Sequence, residues 1–195
     1  MRLPAVVASL LAVIFVAGCA STVSPLYLKT DAVTDPAIVG TWISTDKDPG
    51  TVRIEAMKDG SYQVSVRDDK SGDNSVYQTH LIKLGSTSFA DLLLTTSHLS
   101  GQDVQLPWGA VSLHQIVKYQ VAGDDLSVSV IDDNALQKSA KQPGFPLQFR
   151  GTQVGTGSGV AGDTVIISST EDLRRYLSAH PAEIFGEASH FKRQH

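Results

Sequence analysis

Two short strings have the spacing of a serine nucleophile assisted by a lysine. Ser44 precedes Lys47 by three residues, and Ser189 precedes Lys192 by three. In S-x-x-K enzymes such a lysine lies one helical turn from the serine and supports its deprotonation. Neither string begins a predicted helix, and no K-T-G element accompanies them. The sequence therefore predicts no serine nucleophile at either place, and no enzymatic activity is expected from them.

A glycine-rich string between residues 157 and 162 fits the pattern G-x-G-x-x-G. In dinucleotide-binding proteins those glycines let backbone amides approach a pyrophosphate at the start of a helix. Here residues 163–167 read Asp-Thr-Val-Ile-Ile, which is typical of a strand. The string is interpreted as a hairpin loop, and no cofactor is predicted.

Oxygen-bearing side chains crowd residues 68–74, as in a calcium loop. The glycine falls at the wrong place for an EF-hand, and His80 stands where a bidentate glutamate is needed. The segment is interpreted as a solvated hairpin tip. The histidines form no H-E-x-x-H motif, so no metal site is predicted. His80 shares a strand face with apolar residues, whereas His114 lies on a polar face.

The only cysteine, Cys19, ends the run Val16-Ala17-Gly18-Cys19 behind Arg2 and the apolar stretch 3–17. This pattern resembles the lipobox of bacterial lipoproteins. The resemblance implies cleavage before Cys19, a diacylglycerol thioether on its sulfur and a third acyl chain on its amine. Residues 1–18 are then a signal peptide, since the stretch is short for a membrane span. The alternative is a buried thiol at the edge of a single membrane helix.

An acylated Cys19 would anchor the protein firmly, because two or three acyl chains bind a protein stably to a membrane, whereas a single chain binds it only marginally. In Gram-negative lipoproteins an aspartate after the cysteine signals inner-membrane retention, so Ala20 implies the outer membrane, facing the periplasm. The chain has 20 acidic and 16 basic residues, and the signal peptide removes only Arg2 among them. This acidic balance argues against nucleic acid as a partner.

Residues 19–36 have the Ser, Thr and Pro content of a tether. The seventeen residues 20–36 reach at most about 55 Å when extended. Leu26, Tyr27 and Leu28 interrupt the polar run and are expected to dock on the domain that follows. That domain is assigned to residues 37–195.

Period-two alternation dominates this domain. It is clear at 52–56, 62–67 and 126–130, where apolar residues alternate with polar ones. Asp59-Gly60 is typical of a tight hairpin between the first two of these segments. Strands are predicted near 38–44, 51–57, 61–67, 75–84, 88–94, 111–121, 125–131, 147–153 and 163–168.

Two helices are predicted, one over about 133–141 and one over about 170–179. The first has Asp132 or Asp133 as its N-cap, and the second begins at Ser169 with an acidic first turn. Eight or nine closely spaced strands with two short helices predict a mainly β fold. We expect a single antiparallel meander barrel, with a β-sandwich as the alternative.

Gly40-Thr41-Trp42, at the start of the first predicted strand, resembles the Gly-x-Trp that opens lipocalin barrels. In lipocalins this tryptophan plugs one end of the barrel, and the chain ends with a strand followed by a helix, as predicted here for 164–178. Lipocalins also keep an arginine after the last strand, where this chain has Ser168-Ser169. The chain has no Thr-Asp-Tyr in its middle either. The alternative is that Trp42 is an ordinary core residue. Small uncharacterised envelope lipoproteins share the wider pattern.

A cavity in the barrel would be lined by large apolar side chains and a few inward polar ones that orient a ligand. Asp91 is another inward polar candidate. The candidate lining residues are Trp42, Tyr62, Val64, Gln78, His80, Phe89, Leu113, Gln115 and Tyr119.

Three functions stay open. The first is a non-catalytic binding or interaction role, with an envelope protein as a possible partner. The second is a lipocalin-like carrier of an apolar small molecule, which requires an open lumen. The third, a hydrolase, requires a histidine, a serine and a carboxylate that converge on one pocket.

Overall fold

The computed structural model describes residues 19–99, 101–104, 112–151 and 164–195. The predicted signal peptide and the glycine-rich string 157–162 lie outside these residues. The described chain contains twelve strands, two α-helices and one 3₁₀ turn at Pro36–Ile38. The strands are β1 Ser21–Thr22, β2 Gly40–Ser44, β3 Gly50–Ala56, β4 Tyr62–Asp68, β5 Asn74–Leu84, β6 Thr87–Leu99, β7 Gln102–Val104, β8 His114–Ala122, β9 Asp125–Val130, β10 Phe149–Gly151, β11 Thr164–Ile166 and β12 Ser189–Arg193. The helices are α1 Asp133–Ser139 and α2 Thr170–Ala179.

Eight of these strands close into an antiparallel barrel. Their order is β2-β3-β4-β5-β6-β8-β9-β12, and β12 pairs with β2 to complete the circle. The barrel strands follow one another in chain order, and three strands that fall between them in the sequence are left out of the circle: β7, a hairpin extension of β6, and β10 and β11, which lie between β9 and β12. The predicted meander barrel is thus confirmed, and the sandwich alternative is wrong.

Local sequence explains the well-predicted elements. The β3–β4 hairpin turns at Gly60, whose φ of +84° suits a residue without a side chain. Helix α1 begins after Asp132, whose carboxylate accepts a hydrogen bond from the Ala135 amide at 2.7 Å. Helix α2 begins after Ser169, which caps the Asp172 amide. Both predicted helices and both caps are confirmed.

The strand that closes the barrel was not predicted. β12 pairs with β9 through Ser189–Lys192 and with β2 through Phe191–Arg193. The segments predicted as the last two strands are instead β10 and β11, which pair with each other and, through β11, with β1 beside the barrel. The reason is that β12 has one buried residue, Phe191, so its alternation is weak.

The structure has two apolar cores. One fills the barrel and includes Trp42, Leu81 and Phe191. The other lies between the outer face of the barrel wall and the elements that cover it, with Ile82, Phe89, Leu136 and Leu177 among its members. Strand β6 is therefore buried on both faces over Phe89–Leu92. A strand with two buried faces loses the alternation that identifies its inner side.

The segment predicted as a tether belongs to the outer core. Ala20 is buried and its amide donates to the Ile131 carbonyl at 3.0 Å. Ser21 and Thr22 pair with β11, and Thr22 also pairs with His114 of β8. Leu26 is fully buried, as expected for a docked residue, whereas Leu28 is 47% exposed. Residues 20–26 are thus part of the domain, because their apolar side chains cover the wall that β5, β6 and β8 present.

Replacing Leu26 by alanine tests this integration. The change should lower the free energy of unfolding by about 2–5 kcal/mol, the usual cost of deleting a buried leucine. Denaturant unfolding of the chain from Ala20 onward measures it. The matched control is Leu28→Ala, which should change stability by less than about 0.5 kcal/mol because that side chain is exposed. Equal effects of the two changes would show that the segment is not packed as described.

Candidate functional site

One end of the barrel is closed by Trp42 and by an arginine that packs over its ring. Trp42 is fully buried, and its indole N–H donates to the Ile38 carbonyl at 2.8 Å. The Arg193 guanidinium lies 4.1 Å from the centre of the indole ring. It also donates to the carbonyls of Val39 and Ala37, both at 2.6 Å. The arginine thereby fixes the 3₁₀ turn across the end of the barrel.

This arrangement corrects the expectation that no arginine follows the last strand. The last strand is β12, not the segment at 163–168, and its final residue is Arg193. It also explains the glycine of Gly40-Thr41-Trp42. Gly40 has a φ of +141°, and a Cβ there would lie 2.7 Å from the Arg193 guanidinium. The backbone conformation therefore favours glycine, and a side chain there would also displace the Arg193 guanidinium.

Asp35 completes the closed end. Its amide donates to the Tyr62 hydroxyl at 2.8 Å, and the Tyr119 hydroxyl donates to its carboxylate at 3.3 Å. The rings of both tyrosines line the lumen, while their hydroxyls find partners at its edge. Burial, together with the nearby Asp35 charge, raises the pKa of Tyr119. The closed end is therefore apolar inside and hydrogen-bonded outside.

Above the closed end, the lumen contains a cavity of about 60 Å³. Its exposed wall is entirely apolar, because Tyr62, Tyr119 and Thr79 present only carbon atoms to it. The Thr79 side chain is 1% exposed, and its hydroxyl has no hydrogen-bond partner among the described residues. The cavity is lined by Ile38, Val52, Ile54, Tyr62, Val64, Val66, Thr79, Leu81, Ala90, Leu92, Val117, Tyr119, Leu126, Val128 and Phe191.

The other end of the barrel is open. A wider pocket of about 340 Å³ lies there, and Val52, Val66 and Phe191 line both it and the cavity below. We call this pocket the mouth. Its rim is formed by the ends of β2 and β4 and by the starts of β3, β5 and β12. Its charged lining residues are Asp46, Asp48, Arg67, Asp68 and Asp73.

The predicted lining residues divide into two groups. Tyr62, Val64 and Tyr119 line the cavity, Gln115 lines the mouth, and Trp42 lies in the inner core below them. The other four are placed outside the lumen. Phe89 belongs to the outer core, Gln78 and Leu113 are exposed, and His80 stacks on Tyr27 with ring centres 3.9 Å apart.

The correction for Gln78, His80 and Phe89 has one cause, whereas Leu113 simply precedes the start of β8. On β5 and β6 both faces carry buried apolar residues, so the alternation does not show which face points inward. The prediction assigned the outer face to the lumen, and the inward residues are the ones between those predicted. The inner residues are Tyr77, Thr79 and Leu81 on β5 and Ala90 and Leu92 on β6. The register with β4 could have identified them, since Tyr62 pairs with Thr79 and Val64 with Tyr77.

Asp91, predicted to point inward, is on the outer face. It is 1% exposed, and its carboxylate accepts hydrogen bonds from the Leu26 amide at 2.6 Å and the Tyr27 amide at 3.4 Å. Its other oxygen lies 2.6 Å from Nδ1 of His114. His114 is thus largely buried, not a surface residue. Nearby, burial lowers the pKa of His80, while the Asp91 charge opposes that shift. This cluster holds the N-terminal segment against the barrel.

Comparison with known proteins finds no matching family model, no matching curated protein and no matching solved structure. Among the described residues, no group of three or more His, Cys, Asp or Glu side chains is arranged to hold a metal ion. No helix in the described ranges is both long and apolar enough to cross a membrane.

Replacing Trp42 by alanine should unfold the closed end. The expected loss is about 3–5 kcal/mol in the free energy of unfolding, because a fully buried indole is removed and Arg193 loses the ring beneath it. Thermal or denaturant unfolding measures it. Met57→Ala is the control, since Met57 is 47% exposed next to the β3–β4 turn. A Trp42→Ala protein as stable as the Met57→Ala protein would contradict the structural role.

Proposed function

We propose that this protein is a lipid-anchored protein of the bacterial envelope whose barrel binds the apolar chain of a small molecule, without chemical conversion. The observation that carries the proposal is the cavity inside the barrel. It is closed at one end by Trp42 and Asp35 and opens at the other into the mouth. A ligand can therefore enter from one direction only.

The dimensions favour a slim ligand. Pockets for drug-sized molecules measure about 300–1,000 Å³, and the mouth alone falls in this range. The cavity below it, at about 60 Å³, has room only for the last few carbons of an alkyl chain and not for a ring, so the rest of the chain would lie in the mouth. Such an apolar cavity stays dry, and each square ångström of ligand chain it buries contributes roughly 25 cal/mol.

The position of the titratable groups supports a non-catalytic role. Asp91 and His114 form a carboxylate–imidazole pair, as the hydrolase alternative requires. That pair faces away from the lumen, and the carboxylate is occupied by the amides of Leu26 and Tyr27. A group that fixes a backbone segment in this way is poorly placed to act on a ligand in the lumen.

The anchor is proposed to be Cys19, acylated after cleavage of residues 1–18. Its backbone bridges to Asp132, and Ala20 is fixed on Ile131. Acyl chains on Cys19 would thus hold the barrel directly at the membrane surface. The absence of aspartate after Cys19 supports the outer membrane, facing the periplasm, in a Gram-negative cell.

The lumen can be tested by filling it. Ala90→Leu adds a larger apolar side chain inside the cavity. We expect binding of an alkyl ligand such as decanol, followed by calorimetry, to weaken at least tenfold. Stability should hold or rise, because the new methyl groups occupy empty space. A destabilisation of about 1–3 kcal/mol would instead indicate a filled core.

The matched control for this change is Gln78→Leu. Gln78 is exposed on the outside of neighbouring strand β5. A leucine there adds similar apolar bulk and should leave decanol binding unchanged. Equal loss of binding in both variants would place the ligand somewhere other than the lumen.

The anchor is tested by Cys19→Ser. The substituted chain should keep its signal segment and incorporate no labelled palmitate in a bacterial host, because serine lacks the sulfur that forms the thioether. Labelling equal to that of the parent chain would disprove acylation at Cys19. Ser21→Ala, two residues further on, is the control and should be labelled normally.

A further inference from the structure

From the small sheet beside the barrel we infer a second contact with the membrane: three exposed apolar side chains, Val23, Leu113 and Ile167, rest on the surface of the lipid bilayer next to the anchor. We call these three residues the apolar row. The inference rests on the proposed function, because it takes residue 19 as the point of attachment, and it adds the orientation in which the barrel is held.

Strand pairing brings the apolar row together. Strand β1 lies between β11 and β8, and Thr22 pairs with Ile166 on one side and with His114 on the other. The three residues of the apolar row occupy the next position of the same ladder, where the Val23 amide donates to the Ile166 carbonyl at 3.0 Å. They are therefore neighbours across three chain segments spaced about 4.8 Å apart.

The apolar row lies on the free face of this sheet. Thr22 and Ile166 are fully buried, and successive side chains of a strand point to opposite faces. Val23, Leu113 and Ile167 are accordingly 41%, 36% and 40% exposed. Six large apolar side chains are exposed among the described residues, so half of them stand in this one row. Apolar side chains exposed singly are ordinary, whereas a contiguous group marks a contact surface.

The anchor lies within reach of the apolar row. Val23 is four residues after Cys19, so their Cα atoms are at most about 14 Å apart. The apolar stretch 3–17 precedes Cys19, and both interpretations of it, a cleaved signal or a membrane segment, place residue 19 at the bilayer surface. Because the Ala20 amide is bonded to the Ile131 carbonyl of the domain, the barrel follows the anchor to that surface.

A bilayer fits the apolar row better than a protein partner does. Three side chains that are 36–41% exposed offer far less than the roughly 800 Å² per partner that a stable protein interface buries. A bilayer requires no shape complementarity, and the anchor supplies most of the affinity. A small apolar surface is then sufficient to set the orientation of the barrel.

The apolar row also lies at the mouth end of the barrel. Gln115, two residues after Leu113, lines the mouth, and so does Leu99, which is 36% exposed. Contact of the row with the bilayer therefore places the mouth beside the lipid. Since the charged side chains of the mouth are mainly acidic, the contact should depend on burial of apolar area and not on attraction to anionic lipid.

The test supplies the anchor chemically, so it does not depend on acylation in a host. Cys19 is the only cysteine, and a single tetradecyl chain coupled to it through a maleimide gives marginal membrane binding. A weak anchor makes any additional contact measurable. The chain from Cys19 onward, which holds every described residue, is titrated with phosphatidylcholine vesicles, and its partition coefficient is measured by sedimentation.

Two double variants locate the contact. Val23→Ser with Ile167→Ser should lower the partition coefficient roughly tenfold, because it removes apolar area that the bilayer covers. The matched control is Leu28→Ser with Met57→Ser, which removes two apolar side chains that are each 47% exposed outside the row. It should change the coefficient by less than about twofold. Adding phosphatidylglycerol to the vesicles should not strengthen binding of the parent chain.

A second measurement uses the parent chain alone. Vesicle lipids that carry a nitroxide in the head group broaden the NMR signals of nearby methyl groups. The methyl signals of Val23, Leu113 and Ile167 should broaden, and those of Leu28 and Met57 should not. This comparison stands even if a variant fails to fold.

Three results would overturn the inference. They are equal partition of the two double variants, broadening confined to Leu28 and Met57, and self-association without vesicles that the row variant abolishes, which would make a second copy of the chain the occupant. Each of them leaves the proposed function standing, since palmitate labelling of Cys19 and decanol binding in the lumen are measured separately. Loss of labelling or of decanol binding would count against the proposed function, and the vesicle measurements would still decide the role of the row.

Discussion

The pairing of β12 with both β9 and β2 is the constraint on which the rest of the structure depends. Without it, β2 and β9 would each present an unpaired edge, and the sheet would be open. Closure also delivers Arg193 to the indole of Trp42 and to the carbonyls of the 3₁₀ turn. Five residues near the C-terminus therefore create the lumen and seal one of its ends.

Closure has a second consequence on the outside of the barrel. The wall formed by β5, β6 and β8 is apolar on its outer face, so it must be covered by other elements. Helices α1 and α2 cover part of it, and the N-terminal segment covers more. Asp91 fixes the position of the N-terminal segment on this wall. Its buried carboxylate requires hydrogen-bond partners, and they are the amides of Leu26 and Tyr27 and the ring of His114. A polar group inside an apolar layer thus specifies where the segment lies.

The sequence was sufficient for elements whose two faces differ. Strands β3, β4 and β9 alternate between apolar and polar residues, and both helices have capping residues at their starts. The sequence was insufficient for strands whose two faces are both apolar. On β5, His80 and Ile82 cover the outside while Thr79 and Leu81 face the lumen, and no local pattern distinguishes the two rows. Strand β12 was missed for the opposite reason. Phe191 is its only buried residue, and the strand is stabilised by pairing with β2 and β9, which are distant in the sequence.

The lumen, the acidic mouth and the fixed N-terminus together constrain how such a protein would work. Ala20 is hydrogen-bonded to the domain, so the segment after Cys19 could not act as a flexible tether of about 55 Å between the lipid and the barrel. With the proposed acylation, the barrel would stay within a residue or two of the bilayer. An amphiphile leaving that bilayer would then cross little water before its chain reached the apolar floor at Val66 and Phe191. The main barrier to transferring an alkyl chain is its exposure to water, which costs about 0.8 kcal/mol per methylene. Under the proposed function, a barrel held at the membrane would therefore lower the free-energy cost of transfer more than one on a flexible tether.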